Sequence, residues 1–278
     1  GDVDETVFDL DRSWLSLYRN TVTIQNITFT GSANQSNVIS ANTENGVTDV
    51  LTLDNCKFVD LQYSRAVNLS TDMTANISDC VFSGNIGPST DPGGSAIRLG
   101  DRNTLNLSHC LFYDNQSLYY SYQKGAIMSS AQNYTMNIDH CTFYDNGGEG
   151  SFAIYDDQTQ SEKIITITNS IFYSDIIDAP DATLYITYSL IYDTEGEGNF
   201  YNEPLFCDVD SSDFTLHNNS PCAGTGQDGA HIGALGIGCG TYSGDVVDDI
   251  VVGDGPFYIS PDGNEFASGT VDDPFGSL

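Results

Sequence analysis

Positive charge is the scarcest thing in this chain. Its 278 residues hold eight Lys and Arg against 39 Asp and Glu, a formal net charge of −31. The eight are Lys57, Lys124, Lys163, Arg12, Arg19, Arg65, Arg98 and Arg102. No basic stripe exists to neutralise phosphates, which excludes nucleic acid as a partner. The same scarcity removes the Lys or Arg base that a polysaccharide lyase commonly needs. Lys57 and Arg98 are expected to face outward and Lys124 and Lys163 to fall at turns, so no two form a catalytic group. Long apolar runs are missing too, and with them any membrane-spanning segment or signal peptide. Membrane insertion is not expected. Strand-like residues begin almost at once, at Thr6-Val7-Phe8-Asp9-Leu10, so the chain reads as mature or excised material. There is no Cys-x-x-Cys, EF-hand loop or nonapeptide repeat. No cofactor is expected; calcium would suit so acidic a chain but has no loop of its own. The surplus negative charge keeps a long molecule dispersed and self-repelling.

What the chain does have is a recurring phrase: Asn, Asp or His, then Cys, any residue and Phe. It reads Asn55-Cys56-Lys57-Phe58, Asp79-Cys80-Val81-Phe82, His109-Cys110-Leu111-Phe112 and His140-Cys141-Thr142-Phe143. Weaker copies stand at Asn26-Ile27-Thr28-Phe29, Asn169-Ser170-Ile171-Phe172 and Tyr188-Ser189-Leu190-Ile191. Successive copies are 29, 24, 30, 31, 29 and 19 residues apart. Units of this length cannot bury an apolar face alone and must stack on their neighbours. Before each Cys come two apolar residues with a polar one between, as in Leu51 and Leu53 around Thr52, or Leu105 and Leu107 around Asn106. That period-2 alternation predicts a strand with one buried face. The residue before Cys fits a sharp corner, because Asn, Asp and His tolerate left-handed backbone better than other side chains. A second strand then points Cys and Phe inward. A third follows at Ala66-Val67-Asn68-Leu69, Ala96-Ile97-Arg98-Leu99, Ala126-Ile127-Met128 and Ala153-Ile154-Tyr155.

Three strands per repeat predict an all-β fold, a right-handed single-stranded parallel β-helix of about seven or more coils, with a core roughly 35 Å long. Its structural ladder is Cys56, Cys80, Cys110 and Cys141 beside Phe58, Phe82, Phe112 and Phe143. The cysteines are read as small buried hydrophobes. His109 and His140 face away from them, against a metal site. Cys207, Cys222 and Cys239 lie outside the stack; a disulfide among them is open and its pairing unreadable.

The chain resembles the parallel β-helix repeat proteins of bacterial surfaces, and most of all the repeats of polymorphic outer-membrane proteins. The residues that carry this are Gly93-Gly94-Ser95-Ala96-Ile97 and Gly125-Ala126-Ile127, with Phe82-Ser83-Gly84-Asn85, Phe112-Tyr113-Asp114-Asn115 and Phe143-Tyr144-Asp145-Asn146. Residues 203–240, with Glu203-Pro204-Leu205-Phe206 and Ser220-Pro221-Cys222-Ala223-Gly224, resemble the closing segment of many secreted members. Such members include adhesins, structural surface proteins and polysaccharide lyases or hydrolases. The resemblance implies an extracellular or cell-surface location.

Residues 1–240 are thus expected to form the β-helix, 241–255 an acidic linker, and 256–278 the opening of a further β-helix. That last piece is either the start of a tandem module or a strand donated to a neighbouring subunit, through Phe257, Tyr258, Ile259, Pro274 and Phe275. Self-association or tandem modules are the expected partners, with a polysaccharide or a cell surface as a further one. Outward positions of the first strand are polar throughout. Those of the second are Val81, Leu111, Tyr113, Tyr144, Ile171, Tyr173, Leu190 and Tyr192, an apolar and aromatic stripe that should touch something. Candidates are the chain's own loops, joined by the Tyr119, Tyr120 and Tyr122 segment, another subunit, or a sugar polymer. Asp114 and Asp145 are the best-placed carboxylate pair, and a solvated turn explains them better than catalysis. Eight Asn-x-Ser/Thr triplets occur, Asn34, Asn68, Asn106, Asn115 and Asn133 among them; glycosylation depends on the source. The expected function is a non-catalytic structural or adhesive module, with a head-to-tail filament subunit and a piece of a tandem protein both open. The alternative is a carbohydrate-active enzyme or carbohydrate-binding module.

Overall fold

The computed structural model describes residues 6–242, except 12, 19–20, 33–36, 44–48, 89–93, 118–124, 148–151, 157, 159–161 and 193–194. The candidate strand-donating residues Phe257, Tyr258, Ile259, Pro274 and Phe275 lie outside the described residues. So do most of the linker, Arg12, Arg19, Lys124, Asn34 and the Tyr119–Tyr122 segment.

Three parallel sheets of seven strands each make up the body. An entry sheet holds Val22–Gln25, Asp49–Asp54, Met73–Ser78, Asn103–Ser108, Tyr134–Asp139, Lys163–Thr168 and Thr183–Thr187. A ladder sheet holds Thr6–Asp9, Ile27–Thr30, Lys57–Val59, Val81–Ser83, Leu111–Tyr113, Thr142–Tyr144 and Ile171–Tyr173. A return sheet holds Leu15–Tyr18, Asn37–Asn42, Arg65–Leu69, Ile97–Leu99, Gly125–Ser129, Phe152–Asp156 and Ile176–Asp178. The chain visits the three in that cyclic order, which is a right-handed parallel β-helix. Registers keep like residues in columns: Leu105 pairs with Ala75 and Met136, and Leu107 with Ile77 and Ile138. All six are buried. The last inner residue of this column, Leu184, is 42 % exposed because no strand of the sheet follows it.

The Phe column extends beyond the four repeats that carry Cys. Phe29, Phe58, Phe82, Phe112, Phe143 and Phe172 stack with centroids 4.6–5.0 Å apart. That spacing is the interstrand distance of the sheet, so the rings follow the backbone ladder. The corner residues Asn26, Asn55, Asp79, His109, His140, Asn169 and Tyr188 all have φ between 48° and 57°. Their side chains run along the stack: Asn55 Nδ2 donates to Asn26 Oδ1 at 2.8 Å, and the His109 and His140 rings stack at 4.8 Å.

A second left-handed corner, not anticipated from sequence, directly follows six of the seven ladder strands, all but Thr6–Asp9. Its residues are Gly31, Asp60, Gly84, Asp114, Asp145 and Ser174. It turns the next residue inward and builds a buried amide ladder. Asn85 Nδ2 donates to Asn115 Oδ1 and Asn115 Nδ2 to Asn146 Oδ1, both at 2.8 Å, and Asn146 Nδ2 donates to Asp175 Oδ2 at 2.6 Å. Each Asn also donates to a backbone carbonyl, of Phe58, Phe82 and Phe112 in turn.

One cation is not where the sequence places it, and a second, Arg65, is given no place there. Lys163 is no turn residue: it opens an entry strand, points inward and is buried, with Nζ 2.6 Å from Asp156 Oδ2. The Tyr134 hydroxyl donates to the same oxygen at 2.8 Å. Arg65 is also fully buried, at the start of a return strand.

Candidate functional site

The outer face of the ladder sheet is where contact with the chain's own loops, another subunit or a sugar polymer was expected, and its geometry follows from residues 201–240. After the last entry strand the chain folds back over this face as a small sheet of Phe206–Asp208, Asp213–His217 and Ile237–Cys239. Phe214 packs on Tyr113 at 4.7 Å and on Tyr144 at 5.3 Å. Phe206 meets Tyr144 at 5.9 Å in an edge contact. Leu216, Cys222 and Ile232 form a buried cluster with Ile171 and Leu190. Hydrogen bonds lock the register: Ala234 N–H donates to Thr142 Oγ1 at 2.9 Å, Gly233 N–H to the Asn169 carbonyl at 2.7 Å, and Gln227 N–H to Asn169 Oδ1 at 2.7 Å. Gly233 has φ of 102°, and a Cβ there would come within 2.6 Å of Ile171 Cδ1. Only glycine lets the segment lie this close.

The stripe is therefore largely interior, covered by the chain itself, one of the three candidates named for it. Leu111, Ile171 and Leu190 are buried beneath the apolar underside of the closing segment. Tyr113, Tyr144 and Tyr173 are half-buried beneath it, as is Val81 at its margin. Burial raises the Tyr144 phenol, and the bond to Glu203 followed by burial raises that of Tyr173. Tyr192 alone of the eight stays well exposed, at 67 %. It stands edge-on to Tyr201, 45 % exposed, at 5.2 Å, and Tyr201 stacks on Tyr173 at 5.8 Å.

The cysteine column is sealed. Cys56, Cys80, Cys110 and Cys141 are fully buried. Cys80, Cys110 and Cys141 each donate a thiol to the carbonyl two residues earlier, at 3.1–3.3 Å. Ser170 and Ser189 continue the column with the same bond from a hydroxyl. Hydrogen bonding to the next thiol and burial push the thiols of Cys56 and Cys80 far up, and burial first does the same to Cys110. Thiols held this firmly protonated are neither nucleophiles nor metal ligands.

Several of the other charged groups are already engaged. Arg102 donates to both Asp72 oxygens at 2.7 Å and also meets Asp101. The bond to Arg102 holds the Asp72 carboxyl below its usual value. Asp54 accepts from Ser78 and Gln25, and Asp139 lies against His140. Asp114 and Asp145 are exposed corner residues, and burial followed by the Asp145 charge raises the Asp114 carboxyl. Lys57 is exposed and Arg98 half-buried.

Sequence reasoning missed one cluster. Cys207 and Cys239 form a disulfide with Cα atoms 6.0 Å apart, and Cys222 is a free, buried thiol pushed up to about 12 by burial. His217 lies beside the bridge, and among the described residues Cys207, His217 and Cys239 are the one group of three whose metal-ligand atoms all lie within 4.8 Å of one another. Their sequence separations carry no motif, so only the small sheet assembles them. The seven cysteines thus divide into a ladder of four, a staple of two and the free Cys222.

No curated protein matches the sequence. A family model described as a right-handed beta helix region matches residues 15–179, more than half of the 278. With its three parallel seven-stranded sheets, this chain belongs to the right-handed β-helix family.

Proposed function

We propose that this chain is a non-catalytic structural or adhesive module, working outside the cell or on its surface, like the polymorphic outer-membrane-protein repeats it resembles. The observation that carries the reading is the closing segment. The apolar outer face of the ladder sheet is capped by the chain's own Phe214, Ala234, Cys222 and Ile232, which closes it to a substrate. The Lys163–Asp156 and Arg102–Asp72 pairs are spent on one another. The Cys207–Cys239 bridge suits an oxidising exterior. Head-to-tail association through Phe257, Tyr258, Ile259, Pro274 and Phe275 completes the proposal, since an extended segment adds readily to a free sheet edge. Electron microscopy and size-exclusion chromatography of the full chain at high concentration test it. Filaments that shorten in a Phe257→Asp/Phe275→Asp variant are expected. A chain that stays monomeric at every concentration and salt overturns the assembly part of the reading.

One observation favours a second reading. Tyr192 and Tyr201 keep aromatic surface in solvent beside the Glu203 carboxylate, the pairing that suits sugar rings and hydroxyls. A carbohydrate-binding module would be retarded in gels containing neutral polysaccharide, and Tyr192→Ala/Tyr201→Ala would abolish the retardation. Release of unsaturated sugars from acidic polysaccharide would instead indicate an enzyme.

A further inference from the structure

Each strand of the closing sheet contributes one donor to the same end of it: Cys207, His217 and Cys239. His217 is registered opposite Cys239, and its Nδ1 lies 3.1 Å from Cys239 Sγ. All three residues are half-buried, so a small ion can reach them while bulk water is thinned. As described, the sulfurs are joined and His217 Nδ1 also meets the Gly240 carbonyl at 2.7 Å. A disulfide staple needs no imidazole aimed at its sulfur, whereas a metal staple does.

We propose that Cys207, Cys239 and His217 form, when the two cysteines are thiols, a Cys2His site for a borderline divalent cation of the Zn2+ type. Two thiolates and one imidazole make three corners of a tetrahedron and leave the fourth to water. Capture of the cation turns two thiols into thiolates and releases two protons to solvent. His217 gives up the Gly240 carbonyl, holds its proton on Nε2 and offers the Nδ1 lone pair. Oxidation by a small-molecule disulfide takes two electrons and two protons from the same sulfurs and forms the bridge. Metal and bridge are therefore mutually exclusive staples of one segment, and the compartment decides which is made. The ladder thiols of Cys56, Cys80, Cys110 and Cys141 do not compete, since they are sealed in the coil.

The test uses the full chain reduced with a phosphine and titrated with Co2+ alone. One equivalent should bind, with thiolate-to-metal charge-transfer absorption and the visible bands of a tetrahedral site. The oxidised chain and a Cys207→Ser/Cys239→Ser variant should show neither. His217→Ala should weaken binding at least about tenfold, since losing a ligand costs no less than losing a residue that orients one. Equal absorption in the double variant, or equal affinity in His217→Ala, overturns the site. A second measurement covers loss of structure on reduction. Zn2+ present during reoxidation by glutathione disulfide should slow formation of the 207–239 bridge, followed by mass spectrometry, in the wild type but not in His217→Ala. The same bridge rate with and without Zn2+ in the wild type also overturns it.

Discussion

A thiol and a hydroxyl share one column because that position needs a small side chain with a hydrogen to give. The carbonyl two residues earlier already accepts a corner N–H from the preceding rung, Asp79 N–H for Ser108 and His140 N–H for Thr168, and Cys110 and Ser170 alike give it a second hydrogen. Asn115 does more. It donates to Asn146 and to the Phe82 carbonyl and accepts from Asn85, all within the dry interior. Asn115→Leu fills the space but strands these partners, at about 1–3 kcal/mol each. A total loss of about 4 kcal/mol is expected from the urea midpoint; a loss below about 1 kcal/mol would mean water replaces the amide. Asp114 is the opposite case. Burial and Asp145 hold its folded carboxyl above the ordinary value, so the folded chain binds that proton more tightly than the unfolded one. The contribution is complete below the unfolded value and is lost as pH rises through the folded one. Asp114→Asn keeps a left-handed corner and should add ~0.3 kcal/mol at neutral pH, screening included. Thermal unfolding across pH checks this, since the gain must vanish in acid.

At the level of elements, the closing segment is the piece with the most to lose. It is held by its apolar underside, by a few hydrogen bonds and by one bridge closing a separation of 32 residues. Cys239→Ser should cost about 4 kcal/mol, as a loop of that size implies. Hydrogen exchange should then speed up at the Gly233 and Ala234 amides and stay slow in the ladder strands. Gly233→Ala should loosen the same amides with the bridge intact, because its Cβ meets Ile171. Uniform acceleration through the coil would show instead that segment and coil open as one unit. The strands and first corners were legible from residues such as Leu105, Leu107 and His109, whose period and backbone tolerance are local. The second corner was obscured because Gly84, Asp114 and Ser174 share a conformation but no chemistry.

Across the whole molecule, the net charge of −31 sets the terms. Like charges on one chain repel, and the Debye length falls from about 30 Å at 0.01 M salt to about 3 Å at 1 M. The melting temperature should therefore rise with sodium chloride over that range, followed by circular dichroism. No rise would mean that the acids, like Asp72 with Arg102, are already compensated. Filament growth, if head-to-tail association operates, should respond in the same direction.

Sequence alone determined the coil: its three strands, its Cys and Phe columns and its first corner. Each repeat states those features locally and stacking multiplies them. Tertiary structure decided everything that joins distant parts. It sent Phe214 and Ile232 onto the stripe of Leu111 and Ile171, buried Lys163 against Asp156, and chose Cys239 over Cys222 as the partner of Cys207. An apolar outward residue reads the same whether solvent, a partner or the chain's own tail lies over it. Only the path of the backbone distinguishes these cases.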